Sequence, residues 1–589
     1  MAMLNYRSVL LLPWVAVAFG LGGCQHLPEQ AHLPASQRLT KQVAALYQPA
    51  NNKPLDNASD TSKTANLNDS ADANLSANGN SHNNSNNNIS SNNANDSVNT
   101  VPRTIAQTIT DYDLGAAISE QSEVHPELSG YHPIVTGANA FAARSILTSM
   151  AKKNIDVQYY IWHDDQSGQL LLRDLWAAAE RGVKVRLLLD DFNNNAKLDQ
   201  ILIRFSNHPN IAVRIINPLM HRKFQPLNYV TGLPRINRRM HNKSMIFDKQ
   251  ITVIGGRNIG NEYLSNDKNS QFADLDVLLI GRVVDEVSNS FNSYWGSNLS
   301  FDIETLVKAD DKTDFLAALD KIQGDEDSGP RSSLSIYREA IETSTIDTDL
   351  INKQVPFRWT DMQFVSDDVG KLTKAVPPET NLVHQLRELL GTPTQQLSII
   401  SSYFVPTKDG VEALVKLANQ GVKIRILTNS FNATDVTAVH SGYSQWRATM
   451  LKAGIKIYEL KATASEEDRE NKLWRARSQS STSLHAKTFA VDDHQVFIGS
   501  YNVDPRSANI NTEMGVLIND DELARQLHGA FSDKLLTQAY EVELNDQGKL
   551  QWRTIEEGKM VIYNQEPKLD LTDHIWLTLM SWLPIDWLL

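Results

Sequence analysis

The chain is written twice. His241, Lys243 and Asp248 recur as His485, Lys487 and Asp492, with the same internal spacing and 244 residues later. Seven residues after each aspartate begins a glycine-rich segment that ends in asparagine, Gly255-Gly256-Arg257-Asn258 and Gly499-Ser500-Tyr501-Asn502. Tyr159-Tyr160-Ile161 finds its counterpart in Tyr403-Phe404-Val405 at the same offset, while Gly182-Val183-Lys184 and Gly421-Val422-Lys423 lie 239 apart. A repeat of this length restricts the fold more than any composition does. Each copy is expected to close its own core, and the pair to pack about a pseudo-twofold axis; 589 residues are too many for one compact domain.

Within each copy, helical and strand periodicities alternate. Residues 138–152 read as a helix, 155–162 as a buried strand, 170–181 as a helix and 182–189 as a strand. The second copy repeats the order with a strand over 397–405, a helix over 410–420 and a strand over 421–427. A glycine at the helix end followed by an apolar run marks β-α-β units with parallel strands. The fold class expected is α/β, two pseudo-symmetric halves of mixed sheet flanked by helices, with one active site at their interface. The first half is placed at 121–300, an inter-half insert at 301–380, the second half at 381–540 and a C-terminal extension at 541–589.

The N-terminus reads as a secretory signal over 1–23. Arg7 starts it, and residues 8–20 are almost wholly apolar but too short to span a bilayer. It ends in Leu21-Gly22-Gly23-Cys24, which resembles a bacterial lipobox, where the cysteine carries the lipid. Cys24 is the only cysteine in the sequence, which excludes internal disulfides and a cysteine-based metal site. Residues 51–100 are dominated by Asn, Ser, Asp and Ala and cannot bury enough to order themselves, so 24–120 is expected to be a lipidated, disordered tether. The location this implies is the cell envelope, anchored on the periplasmic side, with the choice of inner or outer membrane left open. A net charge of -13 argues against a nucleic-acid partner.

Two histidines of one kind suit a two-step displacement at phosphorus, one attacking and one moving the proton. Alternation along a strand puts His241 beside Lys243, and His485 beside Lys487, on one face. Asp248 and Asp492 end those strands before turns, so they fit a catalytic role or a turn and ion-pair role equally.

These paired motifs resemble those of the phospholipase D superfamily over roughly residues 125–540. Val157-Gln158-Tyr159-Tyr160-Ile161-Trp162, Arg239-Met240-His241-Asn242-Lys243, Gly255 to Gly260 and Asp504-Pro505-Arg506-Ser507 are similar to one branch, the C-type bacterial cardiolipin synthases, as is the terminal Leu583 to Leu589. The resemblance implies double displacement with no metal or other cofactor. It makes His241 the nucleophile and His485 the acid/base, an order that pseudo-symmetry leaves reversible. Lys243, Lys487, Asn258 and Asn502 would hold the phosphate oxygens. Glu513 matches the family's downstream acid, and Asp274 is its counterpart in the first copy, with Asp276 competing. Its substrates would be phosphatidylglycerol and a second phosphatidyl donor, phosphatidylglycerol or phosphatidylethanolamine; phospholipid hydrolysis by the same site is the alternative.

Two further segments bear on substrate. Arg238 and Arg239 form with Arg235 a cationic cluster ahead of His241, read as a headgroup-binding group or a solvated face. Residues 575–589 hold Trp576, Trp582 and Trp587 and only one charge. Fifteen residues cannot span a bilayer, so the run suits a membrane interface or packs as a core tail.

Overall fold

The structure, a computed structural model, describes residues 114–222, 226–264, 271–311, 313–323, 333–374, 376–434, 437–462 and 482–568. The leader, Cys24, the Asn/Ser-rich tract and the tryptophan-rich terminus fall outside the described residues. Among those described, no helix is long and apolar enough to cross a membrane.

The strands of the first half are β1 (Ser129–Ile134), β2 (Asn154–Tyr159), β3 (Lys184–Asp190), β4 (Ile211–Ile216) and β5 (Ser244–Phe247). They continue with β6 (Ile251–Gly255), β7 (Gln271–Ala273), β8 (Asp276–Gly281), β9 (Ser300–Asp302) and β10 (Arg358–Thr360). The second half holds β11 (Met362–Ser366), β12 (Gln396–Ser401), β13 (Lys423–Asn429), β14 (Lys456–Leu460), β15 (Thr482–Leu484) and β16 (Lys487–Val491). After these come β17 (Gln495–Gly499), β18 (Met514–Asn519), β19 (Ala539–Leu544), β20 (Leu550–Glu556) and β21 (Lys559–Tyr563).

One sheet has the order β10-β1-β8-β6-β5-β2-β3-β4-β9 and the other β11-β18-β17-β16-β12-β13-β14-β19-β20-β21. Laid side by side, β1 corresponds to β11, β8 to β18, β6 to β17, β5 to β16, and β2, β3, β4 to β12, β13, β14. The duplication in sequence is thus a duplication in topology. In each sheet only the β-α-β strands run parallel, β2-β3-β4 and β12-β13-β14; their neighbours are antiparallel, which makes both sheets mixed. The connecting helices, Gln166–Glu180 and Thr407–Asn419, end in Gly182 and Gly421, both at φ +96°. That left-handed step turns the chain into β3 and β13, and glycine takes it without the strain a Cβ brings.

The insert between the halves also does structural work. β10 closes the edge of the first sheet on β1, and β11 closes the second on β18. One buried apolar cluster then joins the two sheets: Ile246, Ile254, Val277 and Leu279 pack with Ala490, Val496, Ile498 and Val516. A shared core removes apolar surface of both halves from water at once, so the halves are fixed against each other. The site lies where that junction reaches the motif loops.

Candidate active site

Each motif is sewn to the opposite half. Met240 bridges Thr512 in parallel, His241 N–H donates to the Thr512 carbonyl (2.9 Å) and Thr512 N–H to the Arg239 carbonyl (3.0 Å). At the related position β15 pairs with β7, and the N–H groups of His485 and Ala486 both reach the Ala273 carbonyl. Thr512 precedes Glu513 and Ala273 precedes Asp274, so each stitch delivers an acid across the junction. His241 Nδ1 lies 2.8 Å from Glu513 Oε2, and His485 Nδ1 lies 2.7 Å from Asp274 Oδ2. Each dyad therefore crosses the junction, its imidazole from one copy and its carboxylate from the other.

With Nδ1 tied to a carboxylate, Nε2 of each ring is the nitrogen that would act on a phosphodiester. Tyr160 meets the His241 ring edge-on at 4.9 Å between centroids, and Tyr263 meets His485 at 5.0 Å. Lys243 Nζ donates to the His241 carbonyl at 2.7 Å, and Lys487 Nζ to the His485 carbonyl. Lys487 also reaches Ser402 Oγ (3.0 Å), which donates to Asn502 Oδ1 (2.8 Å). Among the described residues, the Asn258 side-chain oxygen and Glu513 Oε1 are buried with no protein partner.

The electrostatics favour neutral rings in the unliganded protein. Burial and the charges of Lys243 and Lys487 hold His241 well below the usual imidazole range. Burial, then Lys487, push His485 down to about 3 against the opposing pull of Asp274. Lys243 is itself lowered, chiefly by burial. The two acids differ. Burial pushes Glu513 up to about 7, whereas at Asp274 the hydrogen bond from His485 and the charges of His485, Lys487 and Arg257 outweigh burial and hold it near about 2. A phosphodiester arriving between the lysines would bring a negative charge and favour the protonated ring.

Several sequence expectations need correcting. Asp248 and Asp492 do not face the histidines. Asp248 accepts the N–H groups of Lys152, Lys153 and Asn154 at 2.7 to 2.9 Å, and Asp492 those of Thr394, Gln395 and Gln396 at 2.7 to 3.1 Å. Both stand at positive φ, 51° and 49°, at the turn. The motif aspartate ties the turn to the start of β2 or β12, the structural one of the two roles the sequence left open. Arg239, expected at the headgroup, is 0% exposed and bound to Asp190 Oδ1 and the Asn217 carbonyl. With its donors turned inward it cannot meet a headgroup. Arg238 donates to the Lys371 carbonyl (2.8 Å) and remains half-buried. Asp276 pairs with Arg144 (2.9 Å) in the core and leaves the dyad to Asp274.

Sequence reasoning passed over Tyr160, Tyr263, Ser402 and Ser500. Tyr160 sits in the repeated Tyr-Tyr-Ile segment, the one signal that could have marked it. Ser500 occupies the place of Gly256 and donates to Glu513 Oε2. Asp367 accepts Glu513 N–H (2.9 Å) and pairs with Lys371 (2.9 Å), bracing the acid from behind. One group among the described residues, His163, Asp165 and Glu262, brings possible metal-ligand atoms within 4.8 Å of one another. These atoms already serve one another and the backbone: His163 Nδ1 is 3.1 Å from Glu262, and Asp165 accepts N–H groups from Gly168 and Asn261.

The family model described as cardiolipin synthase, phospholipase D-like domain, matches twice, over residues 146–295 and 386–535. Cardiolipin synthase C of Escherichia coli (strain K12) is 39% identical over 476 residues, covering 81% of this chain and 99% of its own. A cardiolipin synthase of Staphylococcus aureus (strain Mu50) is 24% identical over 69% of this chain and 67% of its own. Phosphatidylserine synthase of Haemophilus influenzae Rd KW20, a solved structure, superposes with a TM-score of 0.49 at 15% identity, over 80% of this chain and 98% of its own.

Proposed function

The chain belongs to the phospholipase D-like cardiolipin synthase family, and from that premise we propose that it is a phosphatidyltransferase that forms cardiolipin through a phosphohistidine. The observation that carries the reading is the pair of crossed dyads, two imidazoles with a lysine beside each. In the first step His241 attacks the donor phosphorus, the bond from phosphorus to the headgroup oxygen breaks, and His485 gives that oxygen its proton. The second step reverses the proton. His485 takes it from the free glycerol hydroxyl of phosphatidylglycerol, whose oxygen attacks phosphorus and breaks the bond to His241. Lys243, Lys487, Asn258 and Asn502 would stabilise the charge that builds on the non-bridging oxygens.

The donor is phosphatidylglycerol, releasing glycerol, or phosphatidylethanolamine, releasing ethanolamine. Cys24 and the tryptophan-rich terminus support a protein held at a membrane on the periplasmic side. Purified protein given phosphatidylglycerol, with and without phosphatidylethanolamine, should yield cardiolipin on mass analysis. Phosphatidic acid with no cardiolipin would overturn transfer in favour of hydrolysis.

A further inference from the structure

Behind Glu513 lies a group of cations that the chemistry does not use. Asp367 is the node between them. Its Oδ2 takes Glu513 N–H and Lys371 Nζ, both at 2.9 Å. Its Oδ1 takes Leu382 N–H at 2.9 Å, at the start of the helix Leu382–Leu390. Lys371 also donates to the Ser507 carbonyl (3.1 Å) and is 1% exposed. The same lysine forms part of the wall of a cavity of about 320 Å³.

That cavity lies between the insert and the second half. His384 and Arg387, three apart on one face of the helix, line it together with Lys371, and no carboxylate does. Among the described residues, neither the His384 nor the Arg387 side chain has a hydrogen-bond or ion-pair partner. Scattered cations would be a solvated face. Here one of the three is buried, and all three converge on one concavity. A guanidinium fork beside an ammonium suits a phosphate, whose oxygens accept from both. The volume is at the lower end for small-molecule sites, enough for a phosphate with a glycerol-sized substituent.

We propose that this cavity binds a phosphate-bearing anion, and that its occupation slows the step at His241 by compensating the Lys371 charge on which Asp367 and Glu513 depend. Burial pushes Asp367 up to about 6, and Lys371 is first among the groups that draw it back. Burial likewise raises Glu513, and Lys371 acts with Lys243 in the opposite direction. An anion against Lys371 lets both carboxyls take up a proton more readily. A neutral Glu513 steadies an imidazolium at His241 less well. The inference adds regulation to the phospholipid-transfer reading and rests on it for turnover, but not for binding.

The test follows turnover of a short-chain phosphatidylglycerol kept below its micelle concentration, in the unaltered chain, Arg387→Gln and His384→Gln. Each chain is compared with its own rate without added anion. One arm adds inorganic phosphate; the other adds a short-chain phosphonate analogue of phosphatidylglycerol, which has the charge but not the bond that breaks. In the unaltered chain kcat should fall by about threefold or more, and in both variants it should hold. A fall with phosphate identifies a free phosphate as the ligand, and a fall with the phosphonate alone identifies a lipid headgroup. An anion that only competes at the catalytic centre raises KM in all three chains alike. That result, a kcat that never falls, or an equal fall in the variants would overturn the proposal. Equilibrium dialysis against each labelled anion reads binding apart from turnover: for at least one of them the unaltered chain should retain more than either variant. Such a difference in a chain without transfer would sink the function and keep the site; transfer without the difference would sink the site alone.

Discussion

Asp248 shows what a motif letter can conceal. Its carboxylate gathers three backbone N–H groups at the entrance to β2, and Asp492 repeats the arrangement before β12. Asp248→Ala should therefore cost about 2–3 kcal/mol of stability, lowering the denaturant midpoint, while turnover per folded molecule stays near that of the parent. A loss of turnover of a hundredfold with unchanged stability would return the residue to the chemistry. His485 carries a pH prediction. Burial, then the charge of Lys487, push its folded-state pKa from the ordinary imidazole value of 6.5 down to about 3. A depressed group contributes stability that is present above its unfolded value and is lost as pH falls through the folded one. Melting temperature should thus decline as pH falls from about 6.5 toward 3, and less steeply in His485→Gln.

Elements, rather than single residues, decide how closely the dyads are held. At the turn after β6, a Cβ on Gly256 would stand 2.3 Å from Asp274 Oδ1 and 2.7 Å from Oδ2. Gly256→Ala should displace that carboxylate from His485 and lower turnover roughly a hundredfold with a small change in melting temperature. Normal turnover in that variant would show that the Asp274 position is not set by this turn. After β17 the same position is Ser500, which instead bonds its acid. The helix and strand periodicities within each copy were legible because they are local; helices expected at 138–152 and 170–181 are found at Gly137–Met150 and Gln166–Glu180. Edge strands β10 and β11 were not legible in the insert. Three and five residues show too short a period, and their place is set by the sheets they close.

For the whole molecule, the crossed dyads make the copies interdependent. Glu513 lies 272 residues from His241, and Asp274 lies 211 from His485. Glu513→Gln should consequently behave as a defect of His241, although it belongs to the other copy. With a phosphatidyl donor carrying a nitrophenolate leaving group, which needs no proton, His485→Ala should still release a burst. His241→Ala and Glu513→Gln should lose it by roughly 10²- to 10⁴-fold. A burst in His241→Ala with none in His485→Ala would exchange the two roles. The sequence by itself determined the duplication, the β-α-β order and the histidine and lysine pairs, because each is written in local spacing and repeated once. The tertiary structure alone decided which acid serves which histidine, that Arg239 is turned inward, and that the motif aspartates hold turns. Those outcomes depend on how two cores merge across a junction, and burial against a distant partner leaves no mark in the spacing of nearby residues.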